Sequence, residues 1–221
     1  MPDSGYVLLT GFEPFGGDLL NPSALLAERL HGSEIKGVRI ASACLPVDLA
    51  RLPVEIERLL DGPSPRAIVN LGLAAGRTAV AVERVAVNAL DFNIPDNAGQ
   101  QIRDRPILPD GPAAYLSRLP LRQSVERLRA RGIPAYISDT AGLYLCNACM
   151  YLVLHTLAQR GWDIPAGFIH VPFILEQTAQ QEAPRASLPL DMLTLATGIL
   201  VETALAETQT QPLRQVLSST E

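Results

Sequence analysis

The segment Tyr6-Val-Leu-Leu-Thr10 is a short apolar run without a polar face, which is typical of a strand buried on both sides of a sheet. Similar runs recur along the chain, and stretches with helical periodicity separate most of them. Strands that alternate with helices indicate an α/β fold with a largely parallel sheet. We therefore predict a three-layer α/β/α sandwich around a mostly parallel, twisted central sheet.

The predicted elements follow one another from residue 6 to residue 207. We predict strands over 6–10, 37–45, 67–71, 80–87, 135–138 and 167–171, and helices over 24–30, 48–60, 121–131, 144–160 and 189–207. The stretch 91–120 is rich in Pro, Gly, Asp and Asn, so we expect a long excursion with little regular structure. The length suits a single domain over 1–221, with 208–221 as a frayed polar tail.

The composition restricts the functional classes. The 221 residues carry 18 Lys and Arg against 23 Asp and Glu, a net charge of −5, and Lys36 is the single lysine. A protein that binds phosphate backbones needs clustered basic side chains, so we expect no nucleic-acid partner. The chain also shows neither a signal-peptide pattern nor an apolar run long enough to span a bilayer. Three cysteines fit a reducing compartment, and we expect a cytoplasmic protein without a membrane partner.

Two of the cysteines lie at the front of a predicted helix, after a glycine-containing turn. Cys146 and Cys149 form the motif C-N-A-C, and the helix N-terminus favours a thiolate through its partial positive charge. Cys146 is the better nucleophile candidate because it lies in the first turn, whereas Cys149 lies one turn deeper. We interpret Cys44, at a strand end, as a packing residue. A thiol–disulfide function for the C-x-x-C motif stays open, whereas the zinc ligands that would complete a metal site are missing from the sequence pattern.

Few residues can serve as the catalytic base, because the chain has three histidines. His170 closes a predicted core strand immediately before a proline, at the sheet edge where the Cys146 helix begins. We interpret His31 as a solvated helix-end residue and His155 as a helix-surface or packing residue. A carboxylate should orient the imidazole, and both Glu83, in an apolar strand, and Asp139, just before the cysteine turn, are candidates. Spacing alone does not choose between them.

Six segments, in this order along the chain, together resemble the pyroglutamyl peptidase I family of cysteine exopeptidases. They are TGFEPFGG (10–17) with NPS (21–23), LGLAAGR (71–77), ERVAVN (83–88), IPDN (94–97), SDTAGLYLCN (138–147) and GFIHVP (167–172). The resemblance implies an α/β/α fold, frequently a homotetramer, and removal of N-terminal pyroglutamate from peptides without a metal or cofactor.

The resemblance also implies roles for individual residues. Cys146 would be the nucleophile, His170 the general base and acid, and Glu83 the carboxylate that orients the histidine. The positions matching the family's lactam pocket are Phe12, Phe15, Val47, Ile94, Tyr144 and Leu145. A pyroglutamyl group lacks an ammonium, so an apolar pocket with a few backbone hydrogen bonds suits it.

The chain departs from the family pattern at four positions. Asn93 stands where many members have an arginine thought to lie near the oxyanion, so a neutral amide replaces a charge there. Val47 replaces a frequent threonine, and Tyr144 replaces a frequent phenylalanine. Cys149 is an extra thiol that could form a disulfide with the nucleophile. A non-catalytic binder on the same fold is a further alternative, against which the complete set of triad residues argues.

Overall fold

A computed structural model describes residues 5–179, 181–183 and 185–207, and the predicted tail over 208–221 lies outside these ranges. The strands are β1 (Tyr6–Phe12), β2 (Glu34–Ile35), β3 (Val38–Leu45), β4 (Ala67–Leu73), β5 (Val80–Glu83), β6 (Val85–Val87), β7 (Ala114–Leu116), β8 (Ala135–Ser138), β9 (Ala166–Val171), β10 (Phe173–Ile174) and β11 (Ser187–Leu188). The helices are α1 (Pro22–Leu30), α2 (Leu52–Leu60), α3 (Leu121–Arg129), α4 (Leu145–Arg160), α5 (Leu175–Thr178) and α6 (Leu190–Glu207).

Seven strands form the central sheet, in the order β2-β3-β1-β4-β9-β5-β8. The pairs β3–β1, β1–β4, β4–β9 and β5–β8 are parallel, whereas β2–β3 and β9–β5 are antiparallel. Every residue of β4 and β9 is buried, as expected for central strands that are covered on both faces. The predicted mostly parallel α/β fold is confirmed.

Two apolar cores lie on the two faces of the sheet. Successive side chains of β1 alternate between them, so Leu9 belongs to one core and Leu8 to the other. The first core includes Leu26 of α1 and Leu200 of α6. The second core contains much of α4, including Tyr151, and α4 is buried on nearly all sides. No helix within the described ranges is long and apolar enough to cross a membrane.

The predicted strand over 80–87 is wrong in one respect, because it is two strands in two sheets. β5 ends at Glu83. The N–H of Arg84 donates to the Ser138 carbonyl, and the carbonyl of Arg84 accepts the N–H of Ser117. The chain then leaves the central sheet, and β6 pairs with β7 in an antiparallel ribbon. The excursion over 91–120 is otherwise irregular, as predicted.

Two further local predictions are wrong. The second helix begins at Leu52 instead of residue 48, because the Asp48 carboxylate accepts the backbone N–H groups of Ala50 and Arg51 and holds a turn there. Cys44 is exposed and not packed, because the end of β3 opens onto a groove in front of α2, where Glu13 lies nearby. Partial burial of the thiol, followed by the Glu13 charge, raises the pKa of Cys44, so this cysteine is a weak nucleophile.

Candidate active site

The antiparallel placement of β5 beside β9 brings a glutamate and a histidine together. Ala81 lies opposite His170, and Glu83, two residues further, projects from the same face of the sheet. His170 Nδ1 lies 2.7 Å from Glu83 Oε1, and the two side chains are 4% and 0% exposed. Because Nδ1–H donates to the carboxylate, Nε2 is left as the proton acceptor of a neutral imidazole.

Helix α4 presents Cys146 in its first turn, and a buried amide fixes where this helix starts. Asn147 accepts the Val87 N–H through Oδ1 at 3.0 Å and donates through Nδ2 to the carbonyls of Val87 and Ala89 at 2.9 and 3.0 Å. The N-cap residue is Tyr144, whose side chain makes no capping hydrogen bond to the helix start. The first N–H groups of α4 therefore remain able to bind a negatively charged oxygen.

Gly72 shows how closely the thiol approaches the sheet. This residue of β4 lies opposite His170 in the β4–β9 ladder. A Cβ atom at Gly72 would lie 2.9 Å from Cys146 Sγ and 2.7 Å from Cζ of Phe168, whose ring centroid is 4.9 Å from that of His170. The thiol, the imidazole and the carboxylate therefore converge near the carboxyl ends of β4 and β9, where ligands bind in sheets of this kind.

The electrostatics of the site favour an uncharged cysteine and histidine in the free protein. Burial, with a smaller contribution from the Glu83 charge, raises the pKa of Cys146 to about 12, although Arg77 and the cysteine's own backbone N–H lower it. Burial also lowers the pKa of His170, against the opposing effect of its hydrogen bond to Glu83. The helix N-terminus was expected to lower the thiol pKa, but burial outweighs that effect.

Beside the thiol lies a narrow cavity with a volume of about 10 Å³. Its walls are mostly apolar and aromatic, and they comprise Phe12, Phe15, Asn21, Val47, Leu73, Tyr144, Leu145 and Cys146. This volume is far below the roughly 300 to 1,000 Å³ of typical ligand pockets, so the walls must move apart before a ring can enter between them. Tyr144 is held by a hydrogen bond to the Pro95 carbonyl at 3.0 Å, and burial raises the pKa of its hydroxyl to about 12.

Polar side chains join two segments of the cavity wall to the neighbouring segment around residue 97. Glu13 Oε1 accepts the Val47 N–H at 2.9 Å and an N–H of Asn97 Nδ2 at 3.0 Å. Asn97 Nδ2 also donates to the Pro14 carbonyl at 3.0 Å, and the backbone N–H of Asn97 donates to the Val47 carbonyl at 2.8 Å. These bonds, named here the Glu13–Asn97 clip, tie the loop that carries Phe15 to the other two segments.

The structure brings most of the predicted pocket residues to this cavity, but two lie elsewhere. Asn93 is exposed, and its carbonyl accepts a hydrogen bond from Gln101 Nε2 at 3.2 Å. Ile94 is 43% exposed, with Cδ1 at 3.6 Å from where a Cβ of Gly16 would be. Neither residue contributes to the cavity wall as the structure describes it.

The remaining candidates from the sequence take other positions. Asp139 is exposed and pairs with Arg84 at 2.6 Å, so it does not bond His170. His31 contacts Ser42, and His155 bonds the Tyr115 hydroxyl at 2.8 Å. Cys149 is fully buried, and burial raises its pKa well above the usual value, which disfavours thiol–disulfide exchange.

Sequence reasoning missed three residues of the site. Asn21 and Leu73 line the cavity, and Arg77 bonds Glu83 at 2.7 Å. All three lie within or beside segments quoted above, because NPS contains Asn21 and LGLAAGR contains Leu73 and Arg77. Over the ranges that the structure covers, no three His, Cys, Asp or Glu side chains cluster in a way that could hold a metal ion.

Comparisons with known proteins identify similar sequences over most of the chain. The sequence profile of the pyroglutamyl peptidase family matches residues 5–207. The chain is 44% identical over 205 residues to the pyrrolidone-carboxylate peptidase of Pyrococcus furiosus, covering 91% of this chain and 98% of that protein. It is 45% identical over 200 residues to the enzyme of that name from Chromobacterium violaceum, covering 90% and 92%.

Solved structures show the same similarity in three dimensions. A mutant pyrrolidone carboxyl peptidase from Pyrococcus furiosus superposes with a TM-score of 0.89 at 43% identity, covering 91% of this chain and 99% of that one. The pyrrolidone carboxyl peptidase from Thermococcus litoralis gives a TM-score of 0.90 at 39% identity, covering 93% and 95%.

Proposed function

This chain belongs to the pyroglutamyl peptidase family, and from that premise we propose that Cys146, His170 and Glu83 are its catalytic residues. The enzyme is a pyroglutamyl peptidase, a hydrolase that removes N-terminal pyroglutamate from peptides. The observation that carries the catalytic assignment is the 2.7 Å bond between His170 and Glu83 at the sheet edge that the Cys146 thiol also approaches.

The cavity beside Cys146 binds the lactam ring. Pyroglutamate has an uncharged ring nitrogen, so its recognition needs apolar walls rather than the carboxylate that would bind a free ammonium. Phe12, Phe15 and Val47 supply such walls, with Tyr144 and Leu145 at the start of α4. We keep Asn93 and Ile94 as candidate substrate contacts outside the cavity, where a peptide that continues beyond the ring would pass.

The first half of the reaction transfers the acyl group to sulfur. Because burial keeps the Cys146 thiol protonated, His170 Nε2 takes its proton as the sulfur attacks the carbonyl carbon that follows the lactam ring. Glu83 keeps the imidazole in the required tautomer and stabilises the imidazolium that forms. The uncapped N–H groups of α4 provide most of the stabilisation of the oxyanion, because the amide of Asn93 can add a hydrogen bond but no charge.

The second half regenerates the thiol. The imidazolium of His170 gives its proton to the departing amine as the C–N bond breaks, which leaves a thioester on Cys146. His170 then removes a proton from water, which attacks the thioester carbonyl, and the sulfur leaves with that proton. Free pyroglutamate and the original thiol are the products.

A fluorogenic assay tests this function. The enzyme should release the fluorescent amine from its pyroglutamyl derivative and not from the free-amine glutamyl derivative, because the ammonium has no partner in an apolar cavity. Cys146→Ala is the matched control for contaminating peptidases. Cleavage of neither substrate by the wild-type protein would refute the proposed function.

We further propose that residues 1–221 form one peptidase domain that works in the cytoplasm as a homo-oligomer, a tetramer by family resemblance. Three unpaired thiols support a reducing compartment. Exposed apolar side chains such as Leu116 of β7, at 70%, support association between copies. Light scattering that gives four times the mass of one chain would support the tetramer, and the mass of one chain would refute it.

A further inference from the structure

Arg77 is bonded to the carboxylate that holds the histidine, although it does not line the cavity beside Cys146. Its Nη1 donates to Glu83 Oε1 at 2.7 Å, and this oxygen also accepts His170 Nδ1–H at 2.7 Å. Glu83 Oε2 is buried and accepts no hydrogen bond from any residue that the structure describes. Both partners of the buried carboxylate therefore meet at one oxygen, and one of them is a permanent cation.

The guanidinium is itself held in place. Its Nη2 donates to the Thr140 carbonyl at 3.3 Å, in the segment that leads to the nucleophile helix. Its Cζ lies 5.8 Å from the ring centroid of Tyr136 on β8, within the range of a cation–π contact. The Arg77 side chain is 22% exposed, so solvent screens its interaction with Glu83 only in part.

A carboxylate as buried as Glu83 needs a compensating charge. A neutral imidazole donates a hydrogen bond but brings no charge, so in the free enzyme the positive charge beside Glu83 comes from Arg77. An ionised Glu83 is in turn what stabilises the imidazolium during the reaction. The cation thus acts on the reacting atoms through Glu83 and His170, without touching the substrate.

We propose that Arg77 is a positioning residue of this enzyme, which pairs with the buried charge of Glu83 and keeps its Oε1 aligned on His170. The inference rests on the proposed catalytic roles of Glu83 and His170 and adds a fourth member to their network. Arg77 also donates a hydrogen bond to Thr140, in the segment that leads to α4, so one side chain contacts both the carboxylate and the approach to the nucleophile helix.

The charged surroundings of the network define its pH dependence. The groups that face it are Arg77 after β4, Glu83 on β5, Tyr136 on β8, His170 on β9, Tyr144 at the N-cap of α4, and Cys146 and Cys149 on α4. The neighbouring Arg84–Asp139 pair points to solvent. Arg77 lowers the pKa of both Cys146 and His170, so replacing it by a neutral residue should move both limbs of the kcat/KM profile to higher pH.

Three variants test the proposal in the full-length enzyme. Arg77→Gln should lower kcat about tenfold to a hundredfold, the usual effect of losing a hydrogen bond between charged groups, with KM nearly unchanged. Arg77→Lys keeps the charge, so it should recover part of the rate and leave the pH limbs in place. Arg84→Gln removes a similar but exposed ion pair one residue from Glu83, and it should match the wild-type enzyme.

A double-mutant cycle separates positioning from general stability. In a Glu83→Gln background, Arg77→Gln should cost almost nothing further in kcat, because the partner through which it acts is gone. Equal losses in both backgrounds, or an Arg77→Gln enzyme with wild-type kcat and pH limbs, would overturn the proposal. If Arg77→Gln does not fold, the cycle is run with Arg77→Lys, whose loss in kcat must likewise vanish in the Glu83→Gln background.

A substrate-free measurement distinguishes failure of this inference from failure of the proposed function. In a Cys44→Ser background, the rate of iodoacetamide alkylation at a fixed alkaline pH reports the thiolate fraction of Cys146. Arg77→Gln should lower that rate whether or not the enzyme cleaves pyroglutamyl substrates. An unchanged rate beside a normally active parent refutes the role of Arg77 alone, whereas an inactive parent refutes the proposed function.

Discussion

Replacing Gly72 by alanine should damage catalysis through a single added methyl group. The new Cβ would lie 2.9 Å from Cys146 Sγ and 2.7 and 2.8 Å from two carbons of the Phe168 ring. Comfortable contacts between such atoms are about 3.5 to 4.0 Å, so the thiol must retreat by roughly 0.6 to 1 Å. The backbone of β4 is extended at Gly72, so alanine adds no torsional strain and the contact alone is tested.

The expected losses follow from that displacement. Misplacing a reacting group by about 1 Å can cost on the order of 100-fold in rate, so we expect kcat/KM to fall by about that factor. Overpacking a core position costs about 1–3 kcal/mol in the free energy of unfolding. The Phe168 ring packs beside His170, and its displacement should add to the kinetic loss.

The assay combines pyroglutamyl-amide kinetics, urea denaturation and the iodoacetamide rate of Cys146 on the same preparation. Gly198→Ala in α6 is the control, because its nearest neighbour would be Ile35 Cδ1 at an ordinary 3.9 Å. That substitution should keep full activity and add about 0.5–1 kcal/mol of stability, since alanine favours a helix interior. A folded Gly72→Ala enzyme with wild-type kcat/KM and an unchanged alkylation rate would refute the placement of the thiol.

Three further predictions concern individual side chains. Cys146→Ala should abolish turnover, whereas Cys149→Ala should keep most of the activity because it removes a buried thiol outside the cavity. Loss of activity in a folded Cys149→Ala protein would favour the thiol–disulfide function instead. Asn93→Ala should lower kcat/KM less than tenfold, and Asn93→Arg should raise kcat/KM or leave it unchanged, when both are measured after active-site titration. An Asn93→Ala enzyme with wild-type kcat/KM and a lower Tm would show that Asn93 only supports its loop. Because the folded-state pKa of His170 is lowered, unfolded chains bind its proton more readily, so the free energy of unfolding should fall as the pH drops below about 6.5. Urea denaturation at several pH values checks this, and an identical slope in His170→Gln would contradict it.

The sheet could be predicted from the sequence because its strands are short apolar runs between turns. The split between β5 and β6 could not, since the alternation of V-E-R-V-A-V suits one strand or two. The division depends on Arg84, whose backbone bonds two different neighbours, and such long-range pairing leaves no local signal. The exposure of Cys44 leaves no local signal either, because it depends on where α2 begins.

The candidate site shows the same limit. Position at a helix start and a strand end pointed to Cys146 and His170, but spacing left Glu83 and Asp139 equal as partners. The antiparallel placement of β5 beside β9 decides for Glu83, because it brings Glu83 to His170, which lies 87 positions later in the chain. Arg77 closes the quoted segment LGLAAGR, but nothing in that segment indicates its contact with Glu83 on another strand.

The Glu13–Asn97 clip has a consequence for motion. The clip joins the loops after β1 and β3 to the segment around residue 97, so none of these can swing out without breaking hydrogen bonds to the others. Segments bonded in this way open as one cooperative unit, and their amide protons should exchange with solvent at a common free energy. A bound lactam would then slow exchange in all three loops together, including amides that it does not touch.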